Sequence, residues 1–273
     1  MKKFLKIFIP LLILGALAYQ FRSIFFPKAP CSEPIPYKLG TFDAKFGISQ
    51  KYFLSALTDA EAIWEKPSGL DLFAYAPIDS SGDVLKINLV YDYRQQATGK
   101  LASLGITVKD DRASYDMLKA KFTALKAEYT AEKSAYDEQV RNSKNKNELN
   151  QLQALRTHLN EMVDEINALV VVLNRLVATL NISVDTYNAV NVSRGESFEE
   201  GVYISDGANR EIDIYEFSSR EKLVRVLAHE LGHALGLDHV ADPKAIMYKL
   251  NQGNNSTLAK ADLDELKIKC QTK

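Results

Sequence analysis

The sequence predicts an α+β fold split by a long antiparallel α-helical hairpin and preceded by an N-terminal transmembrane helix. Three observations lead there. Short stretches of strand character, at 37–48, 70–77, 84–92 and 197–218, stand on both sides of the middle of the chain. Between them, residues 113–190 lack Gly and Pro and repeat apolar side chains every three and four positions, the period of helices packed side by side. The first 26 residues join early lysines to an apolar run, which marks a membrane or signal segment.

Within 1–26, Lys2, Lys3 and Lys6 precede apolar residues from Ile7 to Tyr19, and Phe21, Ile24, Phe25 and Phe26 prolong that character. An uncleaved single-pass anchor therefore competes with a signal peptide cleaved near Gly15–Ala18. As an anchor, the lysines hold the N-terminus in the cytoplasm and the rest of the chain lies outside; as a signal peptide, the protein is secreted. Residues 27–36, with Pro27, Pro30, Pro34 and Pro36, are expected to form a stiff spacer. Cys31 and Cys270 are the two cysteines of the chain, and in an oxidising compartment such a pair most simply forms one disulfide.

Residues 37–112 open the main domain. A strand is expected over 37–48. A helix follows over 49–66, capped by Ser49 and carrying Phe53, Leu57, Ala60 and Trp64 on one face; Pro67 and Gly69 stop it. Two strands then flank the turn "IDSSGD". The hairpin at 113–190 places Tyr115, Leu118, Phe122, Leu125 and Tyr129 on its first arm. Its second arm carries a heptad seam from Leu152 to Leu180, after the polar turn "RNSKNKNE". At 1.5 Å per residue each arm reaches about 45 Å. Such an arm could bind a partner, self-associate or limit access to a cleft. Residues 191–273 complete the domain with one or two short strands, a helix capped by Ser218 or Ser219, and a serine-capped helix over 256–270.

Charge excludes one class of partner. The 34 Lys and Arg balance 35 Asp and Glu, so no basic field argues for nucleic acid.

The segment "AHELGHALGLDHV" holds three of the four histidines. His229 and His233 lie one helical turn apart on one face, as two ligands of one zinc ion must. Glu230 is rotated by about 100°, beside such an ion without having to ligate it. Gly236 can take the positive φ that ends the helix and returns His239 as a third ligand. Three protein ligands leave a fourth position for water, the arrangement of a catalytic zinc site. Glu230 is then placed to act as general base for hydrolysis. His158, alone on the hairpin, reads as a solvated or seam-edge residue.

With Ala245-Ile246-Met247-Tyr248 following, "HELGHALGLDH" resembles the metzincin zinc endopeptidases, whose signature is this helix and a later Met-turn. Its wording is most similar to the matrixin branch. The resemblance implies a twisted mixed sheet with a histidine-bearing helix and a C-terminal helix, Zn2+ bound by His229, His233 and His239, Glu230 as catalytic base, and Met247 beneath the metal. It implies a protein or peptide substrate lying along an edge strand at "GVYISDG". The segment from Tyr248 to Gly253 would shape the pocket for the residue after the scissile bond. The sequence departs from the family in places. Lys249 stands where some relatives have a zinc-binding tyrosine. "APCSEPIP" echoes only faintly the latency segment in which a cysteine blocks the zinc, and "SDGANREID" would hold Ca2+ only weakly. The hairpin has no counterpart in ordinary matrixins. The expected protein is thus a membrane-anchored extracytoplasmic zinc endopeptidase. The alternatives are a catalytically silent zinc-containing adhesion or assembly protein acting through the coiled coil, and a zinc amidase on cell-wall peptide.

Overall fold

The computed structural model describes residues 31–79, 84–109, 111–142, 146–180, 200–206, 209–249 and 256–271. The expected anchor over 1–26 and the start of the spacer lie outside them. Among the described residues no helix is long and apolar enough to cross a membrane.

The sheet has strands β1 (Ile35–Phe42), β2 (Phe73–Tyr75), β3 (Leu85–Leu89), β4 (Gly201–Ser205) and β5 (Arg210–Ile214) in the order β2-β1-β3-β5-β4. All pairs are parallel except β4 with β5, so the sheet is mixed, as expected. The two strands around "IDSSGD" each run parallel to β1, on its opposite sides. Parallel neighbours usually need a crossover of a dozen or more residues. Here fewer suffice, because β2 ends where β3 begins: Tyr75 and Leu85 are both partnered with Tyr37, on its opposite sides. The chain moves across β1 without running back along it.

The spacer also ends earlier than its prolines suggest, since β1 starts at Ile35 and takes in Pro36. The Ile35 N–H bonds to Leu72 O on the β2 side, so the Pro36 nitrogen faces the β3 side, one residue before β3 begins. Its missing donor leaves no carbonyl unpaired there.

Helix α1 (Gln50–Ser68) starts on Ser49, whose Oγ accepts the Tyr52 N–H. It takes Pro67 into its last turn and ends on Gly69 at φ +69°. Helix α2 (Tyr93–Ser103), capped by Asp92, escapes a periodicity reading because only Ala97 and Leu101 of it are buried. The hairpin arms are α3 (Arg112–Asn142) and α4 (Lys146–Thr179), spanning about 46 and 51 Å at the α-helical rise. They run antiparallel, since Lys121 pairs with Glu165 at 2.8 Å and Glu132 with His158 at 3.4 Å. The tip at 143–145 and residues 181–190 lie outside the described residues. Helices α5 (Arg220–Ala234) and α6 (Lys260–Cys270) complete the order. No serine caps α6: Ala259 is its N-cap, and the Asp262 carboxylate reaches back to the Ala259 N–H at 2.9 Å.

Two separate cores result. The first packs α1 and α5 on one face of the sheet, joining Phe53, Leu57 and Trp64 to Leu85, Ile87, Ile212, Leu227 and Leu231. The second belongs to α2, α3 and α4, with Leu101, Tyr115, Leu118, Leu169, Leu173 and Leu176. A buried ion pair ties one to the other. Arg175 Nη1 on α4 donates to Glu216 Oε1, just past β5, at 2.9 Å, and Thr98 Oγ1 on α2 donates to the same oxygen at 2.8 Å. A disulfide between Cys31 and Cys270, with Cα atoms 5.3 Å apart, joins the start of the described chain to the end of α6.

Candidate metal centre

Helix α5 carries the first two histidines and is held on three sides. Ser219 caps its start, the Oγ accepting the Lys222 N–H. Trp64 Nε1 on α1 donates to Ala228 O at 2.8 Å. Its end closes on Gly236 at φ +80°: the Gly236 N–H bonds to His233 O at 2.8 Å and the Leu237 N–H to Gly232 O at 3.0 Å. That is a Schellman termination, and glycine is the residue that takes the left-handed position without steric cost.

The turn returns His239 to the helix. Its Nε2 stands 3.2 Å from His229 Nε2, and the ligating nitrogens of His229, His233 and His239 all lie within 4.8 Å of one another. The protonation pattern follows from the neighbours. His229 Nδ1 lies 2.7 Å from Ile246 O and His233 Nδ1 3.0 Å from Leu237 O. A carbonyl only accepts, so each Nδ1 carries the proton and each Nε2 keeps its lone pair. Burial pushes the His229 imidazole down to about 3, with the two other histidines adding to the effect. Burial lowers His239 as well, with His233 adding to it.

This donor set fits zinc. Imidazole nitrogens ~2.0–2.1 Å from a tetrahedral ion stand about 3.3 Å apart, close to the 3.2 Å between His229 and His239. The carbonyls behind His229 and His233 are the outer partners that orient metal-ligating imidazoles. Glu230, next in sequence, is buried and faces the start of β4: a Cβ built on Gly201 would lie 3.2 Å from Glu230 Cγ. Strand β4 itself forms one edge of the sheet.

The matrixin peptidase family model matches residues 117–268, more than half of the chain and a span holding the three histidines, Glu230 and Met247. The chain belongs to the matrixin family. No curated protein and no solved structure matches it. Membership implies zinc binding, and the residues able to hold the ion are those just described. The match begins inside α3, so it runs through the hairpin as well as the histidine segment.

In this matrixin the Met-turn is gripped by residues that periodicity does not reveal. Asp262 of α6, fully buried, accepts the Ile246 N–H at 2.8 Å and the Met247 N–H at 2.9 Å. Arg225 of α5 donates from Nη2 to Ala245 O at 2.8 Å. The Val240 N–H, next to His239, donates to Met247 O at 2.9 Å. The turn thus meets His229 through Ile246 O and the residue after His239 through Met247 O. In the sequence Asp262 looks like any acidic residue in a helical first turn. Its position two residues after Lys260, with Ala259 as cap, was the available signal.

Met247 is fully buried against Gly232. A Cβ on Gly232 would run into Met247 Sδ and lie 2.9 Å from Trp64 Cζ2. Gly232→Ala is therefore expected to destabilise the protein by about 1–3 kcal/mol through overpacking. It should also weaken metal retention, since the turn that yields is the one bonded to His229. Denaturant titration of the metal-free protein and zinc competition check the two parts separately; unchanged values in both would show that the contact relaxes freely.

The cysteines pair as expected, and the weak calcium expectation gains no support. With Cys31 in a disulfide, its sulfur is not a thiolate available to block a metal. Asp206 turns its carboxylate to the Asn209 N–H at 2.6 Å, closing the β4–β5 turn, and among the described residues nothing there singles out calcium.

Proposed function

We propose that this matrixin is a membrane-anchored, extracytoplasmic zinc endopeptidase in which His229, His233 and His239 hold the zinc and Glu230 is the general base. The observation that carries the reading is the convergence of three imidazoles with the Nδ1 of two of them committed to carbonyls. That leaves neutral Nε2 donors at the spacing of one ion. Bound zinc would polarise a peptide carbonyl and bring a water's pKa toward ~7.

The rest of the chemistry belongs to the chain. The Glu230 carboxylate accepts the proton of the attacking water and hands it to the departing amine nitrogen. Its burial strengthens that exchange by excluding bulk solvent. Strand β4 offers its outer edge to an extended peptide, whose backbone would add to the sheet as another strand. Ile204 on β4 is exposed, an apolar side chain at the place where substrate would lie. Met247 supports the site from below as part of the turn that fixes His229. The lysines and apolar run of residues 1–26 support anchorage with the domain outside. The hairpin, read as a coiled-coil arm, would recruit substrate or a partner, or self-associate.

The test begins with the metal. Protein purified without added metal is expected to contain close to one zinc per chain by plasma mass spectrometry. Hydrolysis of a mixed peptide library should stop on chelation and return with zinc. Absence of zinc in the native protein would remove the reading.

A further inference from the structure

Helix α5 buries Leu223, Val224, Val226, Leu227, Ala228 and Leu231, and among them stands Arg225, 2% exposed. Desolvating a guanidinium carries a large penalty unless charge and hydrogen bonds offset it, and an aliphatic side chain would fill the place at no such cost. The surroundings give the reason for a cation. Its Nη2 holds Ala245 O at 2.8 Å. Burial pushes the guanidinium down, and the carboxylates of Asp262 and Glu200 oppose that by their charge. Each partner belongs to a different part of the site. Ala245 opens the Met-turn, Asp262 grips that turn from α6, and Glu200 leads into edge strand β4. The Glu200 carbonyl also accepts the Tyr215 and Glu216 N–H groups at 2.9 and 3.2 Å, which ties that lead-in to the end of β5. One helical turn after Arg225 comes His229, whose Nδ1 bonds to the carbonyl of the very next residue of the turn, Ile246.

We propose that Arg225 is a positioning residue for the metal centre. Through its hydrogen bond to Ala245 O it sets the Met-turn against α5, and so fixes the Ile246 carbonyl that aims His229. The proposal rests on the zinc reading above and deepens it: the orientation of one ligand is controlled by a buried cation that touches neither metal nor substrate.

The experiment uses the full chain and reads the metal directly. Arg225→Lys keeps the buried charge, and hence the fold, but its shorter-reaching point-like ammonium lacks the planar guanidinium fork that holds the Ala245 carbonyl. Zinc affinity by competition with a chromogenic chelator is expected to fall about tenfold, the range found when outer partners of ligating histidines are lost. The visible bands of the cobalt-substituted protein should shift, and the rise in melting temperature on adding zinc should shrink. Arg225→Met is expected to lose more on all three measures. A purely structural role would lower the melting of metal-free and zinc-loaded protein equally and leave the cobalt bands in place; that result overturns the proposal. An Arg225→Lys variant with wild-type zinc affinity and spectrum overturns it too, while a zinc-replete wild type keeps the peptidase reading intact. Wild-type protein that fails to take up zinc overturns the peptidase reading and this one together.

Discussion

Glu230→Gln is expected to abolish peptide hydrolysis while zinc remains bound at the wild-type level. Glutamine copies the shape of the carboxylate, and the site is buried and closely packed against Gly201, so the isosteric change disturbs little packing. What it removes is the ability to accept a proton. A positioned acid–base group contributes about 10²–10⁴ in rate, and a loss in kcat of that size is the expected measurement. KM should move little, because in the proposed mode the extended peptide would be held along β4 and not by this side chain. The same comparison separates the alternatives. A silent adhesion protein gives equal, negligible cleavage for both forms with zinc retained in both. A cell-wall amidase loses activity on its own substrate and shows none on proteins.

Arg175→Met is expected to produce the largest loss of stability. The Glu216 carboxylate is fully buried and shares one oxygen between Arg175 and Thr98. Removing the guanidinium leaves that charge in the interior with a hydroxyl as its remaining named donor. Breaking a buried pair from one side costs about 3–5 kcal/mol, a fall in melting midpoint on the order of 10 °C for a protein of this size. Changing both partners, as Arg175→Met with Glu216→Gln, is expected to recover part of the loss, since the amide can still accept from Thr98 and no charge is stranded. The pair joins the core of α2, α3 and α4 to the sheet only a few residues before Ser219 caps α5, so the hairpin and the histidine helix share one support. Differential scanning calorimetry of the single and double variants reads the effect. A single variant that melts with wild type would mean that the two cores hold together without this pair.

Local features of the site were legible in advance because they depend on near neighbours in the chain. The i and i+4 spacing of His229 and His233 is a property of any α-helix, and the turn at Gly236 ends that helix through hydrogen bonds from Gly236 N–H to His233 O and from Leu237 N–H to Gly232 O, within five residues. Likewise the apolar repeat of 113–190 suffices for two long helices, since a stripe of helical period is a local property of each arm. The resemblance to matrixins rests on these same short-range patterns, and the family match agrees with it.

Where the reading failed, the deciding partner was far away. Helix α2 has a weak apolar face because Leu101 and Ala97 meet α4 some 70 residues later. Pro36 sits in a strand because β3 begins just beyond it. The pairing of β2 and β3, left open by the turn between them, is set by β1, which offers both of its sides with Tyr37 as the partner of each.

By itself, then, the sequence determined the long helices, the turn at Gly236 and the spacing of His229, His233 and His239, since period, caps and glycine placement act over a few residues. Only the tertiary structure decided that Asp262, Arg225, Trp64 and Gly232 pack and bond against the histidine helix and the turn at Ala245–Met247. Their partners are backbone atoms and a sulfur brought together from 15 to 164 residues away. A buried carbonyl or N–H leaves no mark on sequence composition, and it selects the side chain that satisfies it only once the chain has folded.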